Sequence, residues 1–147
     1  MRHLIMSNPQ CLLYSAAMAL DIDVVDITDI LGHDGLTVVN PDAVGTAQLQ
    51  GIHIQEIQTY AHRLGRHFYP VEMVPVNVGR DPLFNICGLD YATRFLEMIR
   101  NKRGILIGQN PMGNEHAVAF QDDTIYDPVG KKYSIGSFST REAWILC

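Results

Sequence analysis

Hydrophobic residues recur at helical spacing in four parts of the chain, and these intervals predict amphipathic helices. The apolar positions are Leu13, Ala16, Ala17 and Leu20; Val24, Ile27, Ile30 and Leu31; Ile54, Ile57, Ala61 and Leu64; and Leu89, Ala92, Leu96 and Ile99. Asn8 and Pro9 are residue types that favour a helix start, so we expect the first helix to begin there with Asn8 as its N-cap. Gly32 and Gly65 are predicted to end the second and third helices.

Extended segments are predicted between and after the helices. Val38–Val39 indicates a brief extended piece, and residues 41–51 have the composition of an irregular connection. Residues 67–78 contain four valines and two prolines, which predicts an interrupted strand or an edge strand.

The last third of the chain has the pattern of antiparallel strands. Gly104 is predicted to separate the last helix from the apolar run 105–107. Residues 117–120 and 124–126 flank Asp122–Asp123, as in a β-hairpin. Helices followed by strands favour an α+β fold over an alternating α/β fold.

Length, composition and net charge exclude several classes of protein. The chain has 147 residues, of which 47% are hydrophobic, and we expect one domain over residues 1–147. Its formal net charge is −5, which disfavours binding to the phosphate backbone of nucleic acids. No run approaches the roughly 20 apolar residues of a membrane span. The segment before Pro9 is too short for a signal-peptide core.

The sequence contains three cysteines, Cys11, Cys87 and Cys147. They form no CxxC pair and no even set, which disfavours a disulfide scaffold and a zinc ribbon. We therefore expect free thiols and a cytoplasmic protein.

Cys11 lies in the first turn of a predicted helix, where free N–H groups and the helix dipole lower the pKa of a thiol. Cys87 lies in a loop-like stretch and Cys147 is the last residue of the sequence, so we interpret both as bystanders. His116 begins a predicted strand, and Asp127 follows the next strand of the same hairpin, nearly opposite His116. These residues predict a nucleophile, a base and a carboxylate that orients the base.

Other histidines lack a pattern that indicates chemistry. His53, His62 and His67 have no metal-ligand spacing, so we predict no metal site and interpret them as facing solvent. His33 and Asp34 follow a predicted helix end and are interpreted as loop residues. The proposed thiol chemistry requires no cofactor.

Three segments resemble the papain-like cysteine peptidase superfamily, and within it the small bacteriocin-processing, double-glycine peptidases. The segments are residues 10–20 (QCLLYSAAMAL), 115–120 (EHAVAF) and 124–128 (TIYDP). The resemblance implies N-terminal helices that pack on an antiparallel β-sheet, with Cys11, His116 and Asp127 as the catalytic triad. It implies hydrolysis of an amide or peptide bond, with a peptide or protein as substrate.

The sequence departs from this family at two positions. Ile5 stands where the family usually carries the Gln that completes the oxyanion hole, so Gln10 and Asn8 are the candidates for that role. Leu12 replaces the small residue that often follows the nucleophile. These departures keep two alternatives open: a catalytically inactive, peptidase-like binding module, and an acyltransferase or effector that acts on a host protein.

Overall fold

The computed structural model describes residues 1–39, 48–71 and 91–147. Cys87, Leu89 and most of the strand predicted over residues 67–78 lie outside the described residues. Within the described part, four α-helices and eight β-strands form an α+β fold, as the order of hydrophobic patterns predicted.

The helices follow the predicted periodicities closely. They are α1 (Cys11–Leu20), α2 (Val24–Leu31), α3 (Ile54–Arg63) and α4 (Tyr91–Ile99). Helix α2 ends at Gly32, whose φ of 77° is a left-handed conformation that glycine adopts without steric cost.

The first helix begins at Cys11 rather than at Pro9, and the prediction of Asn8 as its N-cap is wrong. Gln10 occupies the cap position and makes no side-chain cap hydrogen bond. The Gln10 N–H instead donates to the Asn8 carbonyl at 2.8 Å, so a tight turn precedes the helix. As a result, Cys11 is the first helical residue, where backbone N–H groups lack partners within the helix.

The strands form two antiparallel sheets. They are β1 (Val38–Val39), β2 (Gln48–Leu49), β3 (Phe68–Val71), β4 (Arg103–Gln109), β5 (Glu115–Gln121), β6 (Thr124–Tyr126), β7 (Lys132–Ser134) and β8 (Ser139–Leu146). Strands β1 and β2 pair with each other, and the other six have the order β3-β8-β4-β5-β6-β7. Strand β2 lies in the connection that was predicted to be irregular, because it pairs with Val38–Val39.

Gly104 lies inside β4, so the prediction that it separates a helix from a strand is wrong. Strand β4 is central and pairs with both β5 and β8. A Cβ atom at Gly104 would overlap the carbonyl oxygen of Trp144. The glycine therefore permits the close approach of β8.

The six-stranded sheet buries apolar residues on both faces, since neighbouring residues of a strand point in opposite directions. Ile105 belongs to a core cluster with residues of α1, α2 and α3, whereas Leu106 belongs to a second cluster that includes Ile99 of α4. Phe120 is fully buried in the second cluster. Helix α1 packs against β4 and β5, and this contact brings the start of α1 to the start of β5.

Candidate active site

Helix α1 is attached to β5 next to His116. The Ser15 hydroxyl, which is fully buried, donates to the Ala117 carbonyl oxygen at 3.1 Å. The Ala117 N–H donates to the sulfur of Cys11. Because Cys11 and Ser15 are four residues apart on one helix face, the two side chains bind both backbone groups of Ala117. This pairing places the Cys11 thiol beside the residue that precedes Ala117.

The Cys11 thiol is half-buried and free. Burial by itself would raise its pKa, but hydrogen bonds from the His116 side chain and from the N–H groups of Ala117 and Leu12, together with the charge of His116, lower it overall. A lower pKa increases the fraction of thiolate, which is the nucleophilic form of cysteine.

His116 lies between the thiol and a buried carboxylate. Its Nε2 is 2.7 Å from Asp127 Oδ1, and the two side chains are 8% and 3% exposed. Since a carboxylate only accepts, Nε2 carries a proton and Nδ1 is the nitrogen left for the thiol. The hydrogen bond with Cys11 has the largest effect on the His116 pKa. Burial opposes it, and the hydrogen bond and charge of Asp127 add to it, which raises the pKa to about 9.

Asp127 follows β6 and meets His116 diagonally rather than directly. In the register of the hairpin, Ala119 faces Tyr126, so the next residue to face Asp127 would be Val118. The prediction that His116 and Asp127 are nearly opposite is wrong by two positions. Their side chains nevertheless meet, because β6 ends at Tyr126 and Asp127 turns into the following loop.

Tyr133, which was not predicted from the sequence, also binds this carboxylate. Its hydroxyl donates to Asp127 Oδ2 at 2.8 Å, and the Val129 N–H donates to Oδ1 at 3.0 Å. Burial, followed by the hydrogen bond to Asp127 and its charge, raises the Tyr133 pKa well above its usual range. Pro128 and Gly130 are turn residues that could have indicated a second hairpin, with Tyr133 returning beside Asp127.

Gln10 and Asn8 both carry buried polar atoms that have no hydrogen-bond partner among the described residues. These atoms are Gln10 Nε2 and Asn8 Oδ1. Gln10 is 4% exposed, and a Cβ on Gly35 would lie 2.8 Å from its Nε2, so the amide packs closely against this loop. The unpartnered atom of Gln10 is a donor, as an oxyanion hole requires, whereas that of Asn8 is an acceptor. This difference favours Gln10 over Asn8.

The other candidate residues lie apart from this cluster. Cys147 is exposed, and its backbone pairs with that of His67. His53, His62 and His67 are exposed, as predicted. His33 is in a loop, as expected, but its Nε2 lies 2.6 Å from Glu56 at the start of α3. Within residues 1–39, 48–71 and 91–147, no three His, Cys, Asp or Glu side chains are arranged to hold a metal ion.

Comparison with known proteins gives no family assignment. No protein-family model matches the sequence, and no curated protein matches it. None of the helices in the described part of the chain is both long and apolar enough to span a membrane.

Proposed function

We propose that this protein is a papain-like thiol hydrolase that cleaves amide bonds of a peptide or protein substrate in the cytoplasm. The observation that carries the proposal is the series Cys11, His116 and Asp127, in which His116 binds the other two side chains. A helix that carries the nucleophile and an antiparallel sheet that carries His and Asp are what the resemblance to papain-like peptidases implies.

The first chemical step forms an acyl-enzyme. The Cys11 thiolate attacks the carbonyl carbon of the substrate and forms a C–S bond, and the carbonyl oxygen becomes negatively charged. The Cys11 N–H at the start of α1 and the unpartnered Nε2 of Gln10 are the donors that would stabilise this oxyanion. The C–N bond then breaks, and the leaving amine takes the proton from His116 Nδ1.

The second step releases the product. His116, now neutral, removes a proton from water, and the resulting hydroxide attacks the acyl carbon. The C–S bond breaks, the product leaves as a carboxylic acid, and Cys11 returns to the thiolate form. Asp127 holds the imidazole with Nε2 protonated throughout the cycle.

A labelling experiment tests the nucleophile. Cys87→Ser with Cys147→Ser gives a background in which Cys11 is the remaining thiol. This protein, incubated with a peptidyl vinyl sulfone, is expected to gain the mass of one probe molecule. The same background with Cys11→Ala should gain none, and with His116→Ala it should react much more slowly. Equal rates with and without His116 would contradict the proposal.

A second experiment tests hydrolysis. The background protein, but not its Cys11→Ala variant, is expected to produce new termini in a complex peptide mixture analysed by mass spectrometry. Labelling of Cys11 with no cleavage would overturn the proposal of a hydrolase and would favour the catalytically inactive, peptidase-like binding module. Transfer of an acyl group to an added amine would favour the acyltransferase.

A further inference from the structure

The Asp127 carboxylate is held by donors on both of its oxygens. Oδ1 accepts from His116 Nε2 at 2.7 Å and from the Val129 N–H at 3.0 Å. Oδ2 accepts from the Tyr133 hydroxyl at 2.8 Å, and the residue is 2% exposed. Without Tyr133, Oδ2 would be a buried charged oxygen with no partner among the described residues, which is energetically costly.

Other polar groups near Asp127 do not replace the tyrosine. His3 Nε2 lies 2.7 Å from the main-chain oxygen of Asp127, not from its carboxylate. The ammonium group of Lys132 lies over the Tyr126 ring, 4.7 Å from its centroid. In the part of the chain that the structure describes, the charged or titratable side chains that bear on the carboxylate are therefore His116 from β5 and Tyr133 from β7, with Cys11 of α1 acting through His116.

Tyr133 is suited to a fixed donor role. Its ring packs against the second core cluster, so the hydroxyl is held by the core as well as by the carboxylate. A phenol remains protonated throughout the range in which a thiolate and an imidazolium coexist, so it does not compete for the proton of His116.

We propose that Tyr133 is a positioning residue of the active site, whose hydroxyl fixes the Asp127 carboxylate so that Oδ1 faces His116 and the imidazole faces Cys11. This role rests on the proposed function, because it concerns the activation of the same thiol. Without the hydroxyl, the carboxylate can rotate, and its hydrogen bond with His116 Nε2 becomes weaker. The thiolate–imidazolium pair then loses part of its stabilisation.

The test measures the alkylation rate of Cys11 by iodoacetamide between pH 5 and pH 10. Three proteins are compared in the Cys87→Ser, Cys147→Ser background: the background itself, Tyr133→Phe and Tyr126→Phe. Tyr126 is the matched control, because it is half-buried on the neighbouring strand and its hydroxyl has no hydrogen bond to any described residue. Tyr133→Phe removes one oxygen atom and retains the packed ring.

Tyr133→Phe is expected to move the midpoint of alkylation upwards by about one pH unit, and so to slow the reaction about tenfold below the midpoint. The rates should converge at high pH, where the thiol is ionised in every variant. Tyr126→Phe should match the background. As a second measurement, an NMR titration should give a lower His116 midpoint in Tyr133→Phe than in the background.

Three outcomes separate the hypotheses. A lower thermal stability of Tyr133→Phe with unchanged Cys11 and His116 midpoints would show a purely structural role and overturn the proposal. An equal shift in Tyr126→Phe would also overturn it. If alkylation of Cys11 has the same pH dependence in the background protein and in its His116→Ala variant, then His116 does not activate the thiol. The proposed function then fails together with the role of Tyr133.

Discussion

The β5–β6 hairpin carries ionisable side chains at both of its ends, but the two groups differ in burial and in bonding. At the start of β5, His116 and Asp127 are buried and bonded to each other. At the turn, Asp122 is exposed beside Lys102 and Arg103, in a cleft of about 500 Å³. No ion pair links these three side chains to another described residue.

The two ends of the hairpin therefore differ in how strongly their ionisable groups interact. Exposed charges are solvated and screened, so they interact weakly with their neighbours. Buried ionisable groups interact strongly with each other, and the hydrogen bond with Cys11, followed by the hydrogen bond and charge of Asp127, raises the His116 pKa to about 9 although burial opposes it. The buried end of the hairpin is therefore the end at which reactivity is expected.

We expect the greatest loss of stability from a substitution in the core, between the two ends of the hairpin. Phe120→Ala removes a fully buried ring and should lower the free energy of unfolding by about 3–5 kcal/mol. Chemical denaturation followed by circular dichroism measures this loss. A loss below about 1 kcal/mol would mean that Phe120 is not part of the packed core.

His116→Ala should make the comparison between the two ends sharper. An ordinary thiol is only about 1% ionised near pH 6.5, so loss of His116 can slow alkylation of Cys11 by up to about 100-fold at that pH. Arg103→Ala, at the other end of the hairpin, is the control and should leave the rate unchanged. Similar rates for both variants would remove the chemical distinction between the ends.

The proton on His116 gives a pH-dependent prediction. Its pKa is raised from 6.5 to about 9 in the folded protein. Its contribution to stability is therefore complete below about pH 6.5 and is lost as the pH rises through about 9. NMR titration should find the His116 midpoint near pH 9, and Cys11→Ala should lower it, because the hydrogen bond with Cys11 is its largest cause. An unchanged midpoint in Cys11→Ala would contradict the contact.

We expect the least change in stability from a substitution in the turn between β5 and β6. Asp122 has a φ of 55°, a left-handed conformation that costs most residues roughly 1–2 kcal/mol. Asp122→Gly removes this cost but increases the conformational entropy of the unfolded chain. We therefore expect the free energy of unfolding to rise by about 0.5 kcal/mol. Thermal unfolding measures the gain, and Cys11 alkylation should be unaffected. A change in Cys11 reactivity would show that the two ends of the hairpin are coupled.

Part of the candidate site could be predicted from residue types and local patterns. The place of Cys11 near a helix start indicates a nucleophile, and a hairpin with a clear turn indicates His116 and Asp127 as its partners. The prediction of Asn8 as a cap is wrong because it depends on the general preference for Asn and Pro at helix starts. Here, the hydrogen bond between the Gln10 N–H and the Asn8 carbonyl forms a turn before the helix.

Tyr133 could not be found in the same way. Its strand, β7, has only three residues, which is too short for a periodic pattern to be distinct. Its role depends on the Asp127–Lys131 turn, in which the Asp127 N–H donates to the Lys131 carbonyl at 2.9 Å and Gly130 has a φ of 97°. That geometry carries the chain back so that the tyrosine hydroxyl reaches the carboxylate.

The α+β class, most helix positions and the β5–β6 hairpin follow from the sequence, because hydrophobic periodicity and turn residues act over short distances along the chain. Which polar groups meet depends instead on how distant segments pack together. The contacts of Ser15 with Ala117, of Cys11 with His116, and of Tyr133 with Asp127 depend on how α1 and β7 pack around the start of β5. The hydrogen bonds and charges that meet at this junction lower the pKa of the thiol and raise that of the imidazole despite their burial, and these contacts exist only in the packed fold.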